Sequence, residues 1–182
     1  MGINTVAVIG AGTMGAGIAQ VCAQAGWKTN LFDAFPEGLK RGMNTIDAFW
    51  DKGITRGKTT PEQKAEWAAN LHAVSDMADA VGDVDLVIEA VPEIPELKHK
   101  IFAELGTMTR DDCILGTNTS SLSIADIAAA SGKPDKVIGM HFFNPVPIMK
   151  LLELVKHDSC SDETIAAAEA AGKAMGKTTI LV

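Results

Sequence analysis

The chain has 182 residues, 47% of them apolar and 21% charged, with a formal net charge of −7. This length and composition suit one globular domain and exclude intrinsic disorder. The acid excess argues against a nucleic-acid grip, which needs a basic stripe, and against an anionic membrane surface as partners; it leaves open a small anionic ligand held at a helix N-terminus.

The apolar β-branched run 5–9 reads as a buried strand, and 14–25 as a helix ended by Gly26. Residues 28–32 form the next strand. Residues 36–70 then break the rhythm: they are longer, more polar and mostly helical, with Thr60 and Pro61 as an N-cap and first helical residue. Further strands are expected at 83–90, 113–117, 137–140, 151–155 and 178–182, and helices at 95–108, 122–131 and 161–175. Strands alternating with helices imply an α/β, Rossmann-type, doubly wound and mostly parallel sheet covered on both faces. The 36–70 segment is then a helical arm inserted after the second strand. The domain is expected to occupy 1–182, and its apolar ending Thr179-Ile180-Leu181-Val182 reads as a domain boundary with more protein expected downstream.

Cys22, Cys113 and Cys160 are widely spaced and read as reduced thiols. A cytoplasmic location is the expectation from them and from the lack of a basic region ahead of the first apolar stretch. No apolar run reaches transmembrane length and no metal site is read.

Gly10-Ala11-Gly12-Thr13-Met14-Gly15 spells G-x-G-x-x-G between a buried strand and a helix. Gly10 permits the tight turn, Gly12 the approach of a pyrophosphate, and Gly15 close packing of helix on strand. Asp33 ends the next strand, 23 residues after Gly10. A carboxylate there accepts bonds from both adenosine ribose hydroxyls and repels a 2′-phosphate, so the expected cofactor is NAD rather than NADP. The alternative is a glycine-rich turn with an incidental Asp.

Two more segments fall at carboxyl ends of strands, the edge where such sheets bind ligands. Residues 116–125 are rich in small hydroxyls, which ordinary helix capping also explains. Residues 139–153 place His141 at a strand end, Asn144 in a Pro-bounded turn, and Glu153 between Leu152 and Leu154. A carboxylate among apolar neighbours requires a partner, and a histidine across the turn supplies it. Such a pair orients an imidazole and stabilises its protonated form, as a general base requires. The alternative is a structural histidine.

With these motifs in view, the sequence resembles the N-terminal NAD-binding domain of L-3-hydroxyacyl-CoA dehydrogenases, including 3-hydroxybutyryl-CoA dehydrogenases. The residues that carry the resemblance are 8–15, Ile88-Glu89-Ala90-Val91-Pro92-Glu93, Asn118-Thr119-Ser120-Ser121-Leu122-Ser123-Ile124 and His141-Phe142-Phe143-Asn144-Pro145-Val146-Pro147. The resemblance implies NAD-dependent oxidation of an L-3-hydroxyacyl-CoA thioester to the 3-oxoacyl-CoA in fatty acid metabolism. In it, His141 is the general base, Glu153 orients it, and Ser120 and Asn144 position the reacting oxygen and the nicotinamide ribose region. It places Gly10, Gly12, Thr13, Met14, Gly15, Asp33, Ala90, Val91, Glu93, Lys98, Asn118, Ser120 and Asn144 around NAD. The arm is implied to hold coenzyme A, with Lys52 and Arg56, beside Ser120, as the substrate-binding candidates and Lys58 in the same region; the alternative for these basic residues is a solvated helix face. Phe49 stands where the family has a serine on that arm, which puts this part of the carry-over in doubt. A downstream helical domain and a homodimer formed through it are also implied.

Two rival readings stand beside this one. A non-catalytic NAD-binding module has no need of His141 opposite Glu153. A relative acting on free hydroxy or sugar acids, such as the lambda-crystallin-like gulonate dehydrogenases, tends to lack the 118–122 and 141–144 wording kept here. Other Rossmann-type hydroxyacid dehydrogenases take a lysine base from a later helix and leave His141 unexplained.

Overall fold

In a computed structural model, residues 2–182 are described. They fold as an eight-stranded sheet flanked by seven helices. In chain order these are β1 (Thr5–Ile9), α1 (Thr13–Gln24), β2 (Lys28–Phe32), α2 (Pro36–Thr55), α3 (Pro61–Asn70), β3 (Leu71–Ala73), α4 (Met77–Val81) and β4 (Leu86–Glu89). There follow α5 (Pro95–Met108), β5 (Ile114–Thr117), α6 (Ile124–Ser131), a 3-10 turn (Pro134–Lys136), β6 (Val137–Phe142), β7 (Leu151–Val155), α7 (Asp162–Ala174) and β8 (Thr178–Leu181).

The strand order is β3-β2-β1-β4-β5-β6-β7-β8, so the winding reverses between β1 and β4. That reversal opens a crevice at the carboxyl edge of the sheet, where doubly wound folds bind ligands. All pairs are parallel except β6 with β7, where a Pro-bounded loop turns the chain back on itself.

Period-two alternation divides the strand side chains between two cores. Val6, Val8, Ile88, Met140 and Leu152 pack under α1, α2 and α7 on one face. Ala7, Ile9, Val87, Leu115 and Val137 pack under α4, α5 and α6 on the other. Burial on both faces explains why these strands read as continuous apolar runs. Each buried Val, Leu or Ile contributes about 1.5–3 kcal/mol, so the sheet positions its edge residues firmly.

Elements end where side chains capture backbone groups. The expected strand 83–90 contracts to Leu86–Glu89 because Asp85 turns to accept from the backbone N–H of Asn4 at 2.8 Å and of Thr5 at 3.1 Å, and from Arg110 at 2.7 Å. Ser123 and Ser161 cap α6 and α7 through Asp126 and Thr164 N–H, which sets those helices one or two residues inside the expected bounds. Thr60 is the N-cap of α3 and Pro61 its first residue, as expected, and Thr60 with Gln63 completes a reciprocal capping box. The arm is two helices, α2 and α3, pinned by Trp50 against Trp67 at 5.9 Å and by Lys64 against Asp47 and Asp51. The sequence pattern does not foresee β3 or α4; both are too short to show a periodicity.

The tightest contact lies between the first strand and the first helix. A Cβ on Gly15 would sit 1.7 Å from the Gly10 carbonyl oxygen. Gly15→Ala is therefore expected to destabilise the fold at or above the ~1–3 kcal/mol that overpacking costs. Urea unfolding of the variant checks this; a midpoint equal to wild type would show that the turn has slack.

Candidate functional site

A cavity of about 870 Å³ runs along the crevice. One wall is the glycine turn. Gly10 adopts φ +100°, and a Cβ on it would approach the Ala90 carbonyl oxygen to 2.8 Å, so only glycine fits this turn. Gly12 is the N-cap of α1, with no side-chain cap and no acid in the first helical turn. A Cβ on it would meet nothing within 4 Å, because it faces open space. The first amides of α1 thus point into the cavity with a favourable dipole, the arrangement that holds a pyrophosphate.

Asp33 closes one end. Its carboxylate accepts from Ala11 N–H at 2.8 Å and Phe35 N–H at 2.9 Å, which fixes both oxygens at the cavity rim while leaving lone pairs free. Beyond it the wall is apolar: Phe35, Met77, Leu97 and Ile101, with Lys100 and Glu104 at the edge. The sequence reading passed over this stretch. Leu97, Ile101 and Glu104 recur at i, i+4 and i+7 on α5, and that spacing was the available signal.

Gly12, Thr13, Met14, Asp33, Ala90, Val91, Glu93, Asn118, Ser120 and His141 all line the one cavity. Gly15 is buried beneath it. Asn144 is exposed in the loop after β6, outside the lining. Lys52 and Arg56 are exposed toward the end of α2 and do not line it either.

Lys98 also departs from its expected place. The resemblance puts it around the cofactor, yet its side chain is fully buried and outside the cavity lining. Its ammonium reaches Glu89 at 3.0 Å, Glu93 at 2.8 Å and the Asn118 carbonyl at 2.9 Å. Glu89 is equally buried and also accepts from Thr117 Oγ1 at 2.6 Å and Val91 N–H at 2.8 Å. Burial raises the Glu89 pKa, and the Lys98 charge with these donors opposes the rise without cancelling it. For Glu93 burial works the same way but is outweighed: hydrogen bonds from Lys98 and Thr119 hold its pKa below the usual range. Glu93 is thus an ionised, oriented carboxylate on the cavity wall.

At the other end, the antiparallel register places His141 opposite Glu153. Nδ1–H of His141 donates to Glu153 Oε1 at 2.9 Å in the tautomer that this contact selects. Nε2 then remains for a ligand. Asn118 links this end to the rest, since its side-chain oxygen accepts from Phe142 N–H at 2.9 Å.

Fold and site together define a Rossmann-type dinucleotide-binding domain with a carboxylate-oriented histidine in the crevice. The chain matches the family model described as 3-hydroxyacyl-CoA dehydrogenase, NAD binding domain, over residues 5–182, and it belongs to that family. Its cofactor is NAD, in agreement with the uncapped helix and the acid at Asp33. It is 40% identical over 182 residues to a probable 3-hydroxyacyl-CoA dehydrogenase of Caenorhabditis elegans, covering 98% of this chain and 61% of that protein. It is 44% identical over 163 residues to the 3-hydroxyadipyl-CoA dehydrogenase of Escherichia coli, covering 90% of this chain and 34% of that one. The crystal structure of (S)-3-hydroxybutyryl-CoA dehydrogenase from Ralstonia eutropha superposes with a TM-score of 0.96 at 40% identity, covering 100% of this chain and 64% of that one. The chain therefore spans less than two thirds of the length of these relatives. No helix among the described residues is long and apolar enough to cross a membrane.

Removing one partner of a buried ion pair costs about 3–5 kcal/mol, so Lys98→Met should be destabilised by that amount at pH 8. Without Lys98 the Glu89 pKa rises further above its unfolded value of about 4.3, and protonation then favours the folded state. The deficit should therefore shrink at pH 5. Chemical denaturation at both pH values tests this; an equal deficit would mean that Glu89 does not carry the lost charge.

Proposed function

We propose that the protein oxidises L-3-hydroxyacyl-CoA thioesters to 3-oxoacyl-CoA with NAD, and that His141 is the general base. The observation that carries the reading is His141, on the wall of the cavity that starts at the glycine turn, held from behind by Glu153. NAD, when bound, supplies the hydride acceptor. The chain's own residues do the rest. The amides of Thr13 and Met14 would take the pyrophosphate, and Asp33 would accept from the ribose hydroxyls of the adenosine half. The apolar wall of Phe35, Leu97 and Ile101 would take the adenine, and His141 lines the same cavity.

His141 Nε2 takes the proton of the substrate 3-hydroxyl as hydride leaves C3. Glu153 stays ionised, holds the ring through Nδ1–H and stabilises the imidazolium that forms. Ser120, exposed on the cavity wall, is assigned to orient the 3-oxygen, and Asn144, in the loop after β6 and outside the lining, to assist it. Lys52 and Arg56 share the exposed side of α2 and are assigned to the anionic coenzyme A moiety rather than to the reacting acyl group. The relatives named for 3-hydroxyacyl, 3-hydroxybutyryl and 3-hydroxyadipyl thioesters support the substrate class.

His141→Asn in the intact protein should lower kcat by about 10²–10⁴-fold, the range for loss of a general base, with NAD affinity unchanged. Steady-state oxidation of 3-hydroxybutyryl-CoA, paired with a nucleotide titration, measures both; wild-type turnover in the variant would falsify the assignment. Asp33→Ala should weaken NAD about 10–100-fold, the equivalent of a lost charge-assisted hydrogen bond, and leave NADP binding little changed. Equal losses for the two nucleotides would remove the ribose contact from the scheme.

A further inference from the structure

The loop of residues 143–150 joins β6 to β7 and bears on the site directly. It carries Asn144, and the Phe143 ring lies 4.5 Å from the His141 ring. Its own sequence gives it little to hold on to. Asn144, Pro145, Ile148, Met149 and Lys150 are exposed, and Val146 is its one fully buried side chain. Its internal hydrogen bonds are those from Ile148 and Met149 N–H to the Pro145 carbonyl, at 3.0 and 2.9 Å.

Its far end is tied to β8, where Thr178 N–H donates to the Lys150 carbonyl at 2.8 Å, and two further contacts from outside fix the path before it. On one side Val146 presses on α1: a Cβ on Gly17 would stand 2.9 Å from the Val146 Cβ. On the other side lies Lys177, in the turn between α7 and β8. Its side chain is buried, and its ammonium donates to the Val146 carbonyl and, at 2.7 Å, to the Met149 carbonyl. It makes no ion pair among the described residues and does not line the cavity. Burial, and secondarily the charge of Lys150, lowers its pKa. An ammonium withdrawn from water without a carboxylate is costly. The two carbonyls that offset the cost converge only when the loop follows this path.

We propose that Lys177 is a positioning residue for the reaction: by holding the Val146 and Met149 carbonyls it fixes the loop that carries Asn144 and sets Phe143 beside His141. This rests on the reading of His141 as the proton acceptor. Lys177 acts through the loop and touches neither substrate nor cofactor. Because Val146 also abuts α1, the same link sets the spacing between the histidine and the helix whose N-terminus receives the pyrophosphate. A displacement of about 1 Å at a reacting centre costs on the order of 100-fold in rate, so a loose loop has a measurable price.

The test compares Lys177→Met, Lys177→Gln and Lys177→Arg with wild type in the intact protein. Hydrogen exchange is followed in peptides covering 143–151 and 5–24, with NAD affinity and turnover of 3-hydroxybutyryl-CoA measured alongside. In Lys177→Met, exchange at Ile148 and Met149 should rise about tenfold while 5–24 is unchanged, as for a local opening. Turnover should fall about 10–100-fold at unchanged KM for NAD. Lys177→Arg should recover most of both, and Lys177→Gln, which keeps a shorter, uncharged NH2 donor, should fall between them and serves if the Met variant does not fold. Unchanged exchange at 143–151 overturns the proposal. So does a local rise with unchanged turnover, or a rise across the whole domain with loss of NAD affinity, which would make Lys177 a support of the fold alone. If wild type itself oxidises no 3-hydroxyacyl-CoA, the substrate reading fails, while exchange at 143–151 still decides whether Lys177 holds the loop.

Discussion

The buried Lys98 ammonium is the contact on which the site's geometry depends. It collects Glu89 from the end of β4, Glu93 from the following turn and the Asn118 carbonyl from the end of β5. The backbone bond from Asn118 N–H to the Glu89 carbonyl and that from Thr119 Oγ1 to Glu93 tie the same three segments. In a low-dielectric interior each of these contacts is stronger than it would be in water, and each missing one is more costly. From Asn118 the constraint passes on, because its side chain holds the N–H of Phe142, the neighbour of His141. One cation thus joins the acid on the cofactor wall to the strand that presents the histidine.

The sheet turns that local order into a site. Parallel β1, β4, β5 and β6 all deliver their carboxyl ends to one edge, with the glycine turn at one side of the crevice and His141 at the other. The single antiparallel pair has a separate effect. Reversing the chain after β6 places Glu153 directly across from His141 on the same face, which a parallel crossover would not do over so short a loop. The partner of the histidine is therefore a product of topology as well as of composition.

Much of this was legible in the sequence where local chemistry is sufficient. Gly10, Gly12 and Gly15 between a strand and a helix fix a turn that few other folds use, and Asp33 marks the end of the next strand. Glu153 was readable because a carboxylate flanked by leucines requires a partner, and a histidine across the Pro-bounded turn, His141, satisfies it. Other parts depend on tertiary placement that no window of sequence records. A lysine on a helix or in a turn reads as solvated, so the burial of Lys98 on α5 and of Lys177 in the turn before β8 could not be foreseen. Nor could the distance of Lys52 and Arg56 from the cavity, which follows from how far α2 runs past Asp33. The strand β3 and the helix α4 were lost because three and five residues show no period.

The central claim is that the reacting oxygen of the substrate meets His141 inside the crevice. A diffraction structure of the intact protein with NAD and 3-oxobutyryl-CoA tests it most directly. The 3-oxygen should lie within about 2.6–3.2 Å of His141 Nε2, hydrogen-bond reach for a proton transfer. The adenosine ribose should rest on Asp33 in the same crystal. A 3-oxygen bonded to another side chain, with His141 facing only solvent, would contradict the claim.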